Sequence, residues 1–291
     1  MHRFVIGVAA ILTILISTGA ANAASPRPNR SDIQYVEPKS ADHQALVQLL
    51  KERRVLERLR DLLSPFRLPR RLLLKTEGCD GVSNAWYDGE SVTVCYEFLD
   101  DIWKNAATET LPSGLSPIDT MIGPTLDVFL HEVGHAMFDI LQVPLFGREE
   151  DAADQFSAYL MLQAGKQDAR RLILGNAYQY KGDVQAKDVT LSLKKFADEH
   201  GTPAQRFYSV LCIGYGSDKK LFEDLVTKGY LPADRAEGCE DEYNQVAFAF
   251  SKLIMPHVDR NLARKRHKSG LPPVTTAPPR KLPVAPAKPP Q

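Results

Sequence analysis

The stretch LDVFLHEVGHAMFDIL, residues 126–141, constrains the chain more than any other. Leu126, Phe129, Leu130, Val133, Met137, Ile140 and Leu141 recur at helical spacing and leave one polar stripe of His131, Glu132, His135 and Asp139. A helix this apolar belongs in a protein interior. Its polar stripe is then desolvated, at a cost, unless something binds there. Each helical residue advances about 100°, so His131 and His135 lie about 40° apart on one face. Both imidazoles can reach one ion at about 2.0–2.1 Å. Glu132 sits about 100° from His131, poorly aimed as a ligand but able to hydrogen-bond a water that the ion activates. The competing reading is a pair of core histidines satisfied by hydrogen bonds. Two histidines at i, i+4 with a glutamate between them favour a metal.

A catalytic zinc usually has three protein ligands. The segment FGREEDAADQFSAYL, residues 146–160, offers Glu149, Glu150, Asp151 and Asp154. Ala153, Phe156, Leu160 and Ala164 mark the buried side of its helix, and Glu150, Asp154, Ser157 and Met161 run along one edge of that side. Glu150 is therefore the ligand candidate. Asp154, one turn on, can accept a hydrogen bond from the free ring N–H of a ligand histidine. Glu149 and Asp151 read as acids favoured at a helix start by the helix dipole.

The rest of the chain is read around this pair of helices. An amphipathic helix is expected over 42–63, strands at RLLLKTEG, NAWYD and SVTVCYEF, then helices at about 98–108, 117–142 and 149–164 and several more up to about 257. The expected class is α+β: a small N-terminal sheet followed by a mostly helical body, in one domain over residues 41–260. Residues 1–23 have the basic start, short apolar run and Ala-Asn-Ala ending of a secretory signal peptide. The run is too short for the roughly 20 residues of a membrane span, and no later stretch qualifies. Residues 24–40 read as a loose lead-in, and residues 261–291 as a basic, Pro-rich, disordered tail. The reading predicts export, to a periplasm or beyond the cell.

Cys79, Cys95, Cys212 and Cys239 suggest two disulfides in an exported chain. Three pairings are possible; proximity favours Cys79–Cys95 and Cys212–Cys239. The net charge of zero hides an asymmetry: residues 24–259 hold all 36 acids and 36 − 9 = 27 bases. An acidic body argues against nucleic acid as a partner.

HEVGH followed by EDAAD resembles the gluzincin metallopeptidases, whose second helix carries a glutamate ligand in an E-x-x-A-D pattern; Glu150, Ala153 and Asp154 match it. Asn84-Ala85-Trp86-Tyr87 is similar to the edge strand over which thermolysin-like enzymes lay an extended substrate. The layout also resembles a family of exported bacterial proteins, classed as metallopeptidases of unassigned function, in Cys79 and Cys95 around that strand, GREEDAAD, CIGYGSD and GCEDEY. The resemblance implies a zincin-like fold and a Zn²⁺ held by His131, His135 and Glu150. It further implies Glu132 as general acid and base, Asp154 behind a ligand histidine, and Asn84 and Ala85 against a peptide or protein substrate. The residue that stabilises the oxyanion has no clear match; Tyr159, Tyr215 and His257 are candidates. The rival functions are a zinc amidase acting on cell-wall peptides, and a catalytically weak or inactive metal-holding protein that recognises a partner.

Overall fold

The computed structural model of the protein describes residues 30–185 and 193–263. The expected signal peptide and the tail from residue 264 lie outside the described residues.

The chain opens with β1 (Ser31–Tyr35), then α1 (Ala41–Glu52), α2 (Val55–Leu63), β2 (Leu72–Glu77), β3 (Ala85–Tyr87), β4 (Ser91–Cys95) and α3 (Tyr96–Lys104). The helical body follows: α4 (Asp119–Ile140), α5 (Glu149–Met161), α6 (Lys166–Tyr178), α7 (Lys181–Gln185), α8 (Leu193–Phe196), α9 (Pro203–Ser217), α10 (Glu223–Thr227), α11 (Ala233–Glu237) and α12 (Cys239–Ala249). The class is α+β, as expected. The four strands form one sheet in the order β1-β2-β4-β3. β1, β2 and β4 run parallel, and β3 is an antiparallel edge strand, with Ala85 opposite Val94 and Tyr87 opposite Val92.

Three boundaries differ from the sequence reading. Ser31–Tyr35 is a strand, although residues 24–40 read as a loose lead-in. Tyr35 fixes it: its hydroxyl donates to Glu57 at 3.0 Å and accepts the Leu56 N–H at 2.9 Å. The 42–63 helix is two helices. Arg54 takes a left-handed φ of 54°, and the chain folds back there so that α2 packs on β1. β4 ends at Cys95, and Tyr96 already belongs to α3. Its buried hydroxyl donates to the Thr76 carbonyl at 3.0 Å, which holds the start of α3 against the sheet.

α4 is the axis of the molecule. Sixteen of its 22 residues are buried, between the sheet on one side and α5 and α6 on the other. Its closest approach is to α6, where a Cβ on Gly123 would lie 2.4 Å from the Asn176 nitrogen. Only glycine fits that crossing. Two disulfides, Cys79–Cys95 and Cys212–Cys239, are formed, the pairing that proximity favours. No helix of the described residues is long and apolar enough to cross a membrane.

Candidate metal centre

α4 carries His131, Glu132 and His135 on the face turned toward α5 and β3. Between His131 and His135 the helix turns Gly134 to α5, where its Cα hydrogens meet Ala153; a Cβ there would be 3.2 Å from the Ala153 Cα. These two small residues bring the helices close enough for Glu150, at the start of α5, to reach both imidazoles.

His131 Nε2 lies 2.9 Å from Glu150 Oε2, and His135 Nε2 lies 3.4 Å from the same oxygen. The two Nε2 atoms are 3.2 Å apart. The donor atoms of His131, His135 and Glu150 thus all lie within 4.8 Å of one another. Ligands of a tetrahedral ion at about 2.0–2.2 Å sit roughly 3.3–3.6 Å apart. The residues fit a single divalent ion, and two imidazoles with one carboxylate are a donor set that suits zinc.

The outer nitrogen of each histidine is held by a carboxylate. His131 Nδ1 meets Asp154 at 2.8 Å, and His135 Nδ1 meets Glu149 at 2.8 Å. Such partners fix the ring and leave Nε2 pointing at the ion site. Asp154 is clamped in turn by Arg206 of α9, whose Nε and Nη2 donate at 2.8 and 2.6 Å. Behind it, Asp127 is buried and accepts from Ser157 at 2.7 Å. Glu149, read from the sequence only as an acid at a helix start, also holds the His135 ring. Asp151 is as expected: it pairs with Arg148 on the surface.

The electrostatics follow from this crowding. Burial alone would lower the His131 pKa, but the hydrogen bonds to Asp154 and Glu150 outweigh it and push it up to about 10. Hydrogen bonds from His131, His135 and His200 hold the Glu150 carboxyl far below the usual carboxylate range. The site is built to hold positive charge. Burial pushes Glu132 the other way, up from its ordinary value, against the opposing pull of His131 and His135. A carboxylate with a raised pKa is a stronger proton acceptor than a free one.

These groups line a cleft of about 340 Å³ whose opposite wall is Asn84, Ala85, Trp86 and Tyr87 of the edge strand and its approach. The structure thus brings together His131, Glu132, His135, Glu150, Asp154, Asn84 and Ala85. It does not bring in Tyr159, which packs on Phe250 at 4.6 Å and on Tyr243, away from the cleft. Tyr215 packs against the core, and His257 accepts the Arg67 N–H through its carbonyl. Neither lines the cleft. Besides Glu149 and Arg206, sequence reasoning missed His200. It lies just before α9, and its Nε2 reaches Glu150 Oε2 at 2.8 Å. Its ring stacks beside His131, with centroids 5.7 Å apart. It stands 50 residues from Glu150 in a stretch with no periodic partner, so spacing gave no signal for it.

Two histidines one turn apart, a carboxylate from the next helix and an open strand across the cleft are features of the metal-dependent peptidase class. The comparison with known families points the same way. Residues 35–254 match the model of the DUF4344 family, described as "Putative metallopeptidase", and the chain belongs to that family. No curated protein and no solved structure matches the chain.

Proposed function

We propose that the protein is an exported, zinc-dependent metallopeptidase that cleaves peptide bonds in extended chains. The observation that carries this is the joint placement of the His131–His135–Glu150 donors and the edge strand β3 on two walls of one cleft. Export rests on the two disulfides, which persist in oxidising compartments, and on the signal-like start of the sequence.

His131, His135 and Glu150 hold the ion. When bound, zinc supplies Lewis-acid polarisation of the scissile carbonyl and of the attacking water. Glu132 removes the proton of that water and returns it to the departing amine. The outer edge of β3 pairs with substrate backbone, which sets an extended peptide across the donors. His200 takes the role for which Tyr159, Tyr215 and His257 stood as candidates: stabilising the negative charge that develops on the carbonyl oxygen.

The test is zinc content and turnover of quenched peptides in wild type and Glu132→Gln. Both should hold zinc, and the variant should lose a factor of about 10²–10⁴ in rate. Zinc in both with turnover in neither sinks the hydrolase and leaves a metal-holding recognition protein. Turnover of cell-wall peptides alone would make it the amidase. The ligand set has its own test. Glu150→Ala should abolish zinc binding; Glu149→Ala and Asp154→Asn should weaken it about 10–100-fold; Asp151→Ala should leave it unchanged. Loss of zinc on removal of Asp151 would overturn this assignment.

A further inference from the structure

α1, α2, α3, α4 and α6 line a second, open-mouthed cavity, of about 230 Å³, that shares no residue with the metal cleft. Leu46, Leu59, Leu99 and Phe129, all buried, contribute to it, and Trp103 and Met121 line it as well. Its charged lining residues are Arg53, Arg58 and Asp168. Asp168 faces Arg171 at 3.8 Å. Arg53 closes α1 and Arg58 lies in the first turn of α2, so both guanidinium groups come from the α1–α2 corner, with exposed Arg54 between them. Among the described residues, Arg53, Arg54 and Arg58 form no ion pair. Residues 51–61 hold five bases against three acids, whereas residues 24–259 carry 36 acids against 27 bases, so this corner is a basic stretch in an acidic body.

We propose that this cavity binds a medium- or long-chain fatty acid, with the acyl chain between the helices and the carboxylate at Arg53 and Arg58. An unbranched chain needs no hydrogen bonds from its walls, and each methylene removed from water adds to binding. The cavity falls below the roughly 300–1,000 Å³ of ordinary small-molecule pockets, which suits one narrow chain better than the side-chain row of a docked helix. Guanidinium groups with no acid partner supply the planar donors that a carboxylate takes in pairs. The inference is independent of the peptidase reading.

The chain's two tryptophans, Trp86 and Trp103, make the test direct. Trp86 lines the metal cleft, so Trp86→Phe leaves Trp103 as the sole reporter. The full protein is titrated with an ω-brominated fatty acid, whose bromine quenches a nearby indole, and with the matching brominated alcohol. The proposal expects saturable quenching below the micelle concentration, weakened about tenfold when Arg53→Gln and Arg58→Gln are combined, with the alcohol unaffected by that change. Met121→Trp, which adds bulk at the wall, should block the fatty acid as judged by calorimetry. Quenching that fails to saturate, or that is equal for acid and alcohol in both backgrounds, overturns the proposal. So does a peptide of residues 271–291 that saturates the Trp103 signal while the fatty acid has no effect, an outcome that would assign the cavity to the chain's own tail.

Discussion

A methyl group on Gly134 would lie 3.2 Å from the Ala153 Cα and 3.4 Å from its Cβ, where α4 and α5 touch. Two effects then compete. Gly→Ala inside a helix gains up to about 1 kcal/mol in backbone entropy. Against it, α5 must move by a few tenths of an ångström, and Glu150 moves with it, one turn from Ala153. Gly134→Ala should therefore leave the melting temperature within a few degrees of wild type while zinc affinity falls severalfold, read by a competing chelator. Unchanged affinity would show that α5 is not set by this contact. The same neighbourhood shows what spacing can reveal. His131, His135 and Glu150 were legible because a helix converts i, i+4 intervals into a shared face. Gly134, Glu149 and His200 were not. Their roles depend on how closely two helices approach and where a distant loop returns, which no local periodicity encodes.

Among the elements, β3 is short, and it sits at the edge of the sheet over α4. Asp139, two turns beyond His131 on the polar stripe of α4, holds it down. The Tyr87 hydroxyl lies 2.8 Å from Asp139 Oδ2, and Arg70 donates to Tyr87 at 2.9 Å and also to Asp139. Burial, with the adjoining Asp139 carboxylate, keeps the Tyr87 phenol well above its usual pKa, so it remains protonated and able to donate. The network ties the strand wall of the cleft to the helix that carries the proposed ligands. Tyr87→Phe should cost about 0.5–1.5 kcal/mol of stability, raise KM for long peptides and leave zinc content untouched. An unchanged KM would mean that the width of the cleft is set elsewhere. At this scale most of the fold was readable: the class, the three strands from β2 to β4 and the two helices of the site. The misses came from tertiary overrides. Val55–Leu63 continues the apolar period of α1, but the chain turns at Arg54 because α2 must cover β1. β1 itself was obscured by the Pro- and Ser-rich composition around it.

For the molecule as a whole, the two disulfides brace different halves of the site. Cys79–Cys95 spans 16 residues and ties the approach to β3 to the end of β4; Glu97 reinforces it by accepting the N–H groups of Cys79 and Gly81. Cys212–Cys239 spans 27 residues and joins α9, which carries Arg206, to α12. In the chain-entropy model each bridge contributes about 3 to 3.5 kcal/mol, a loss of roughly 6–14 °C in melting temperature for a domain of this size. The thermodynamic losses are thus similar, and the functional losses should differ. Replacing both Cys79 and Cys95 by serine frees the strand wall, so KM for extended peptides should rise while zinc affinity holds. Replacing Cys212 and Cys239 loosens α9, and with it the Arg206 clamp on Asp154 that orients His131, so zinc affinity should fall. Melting curves, zinc competition and peptide kinetics on the two double variants separate these outcomes. If both variants lose zinc equally, the bridges act only through global stability, and the division of the site into a strand wall and a helix-borne metal centre does not hold.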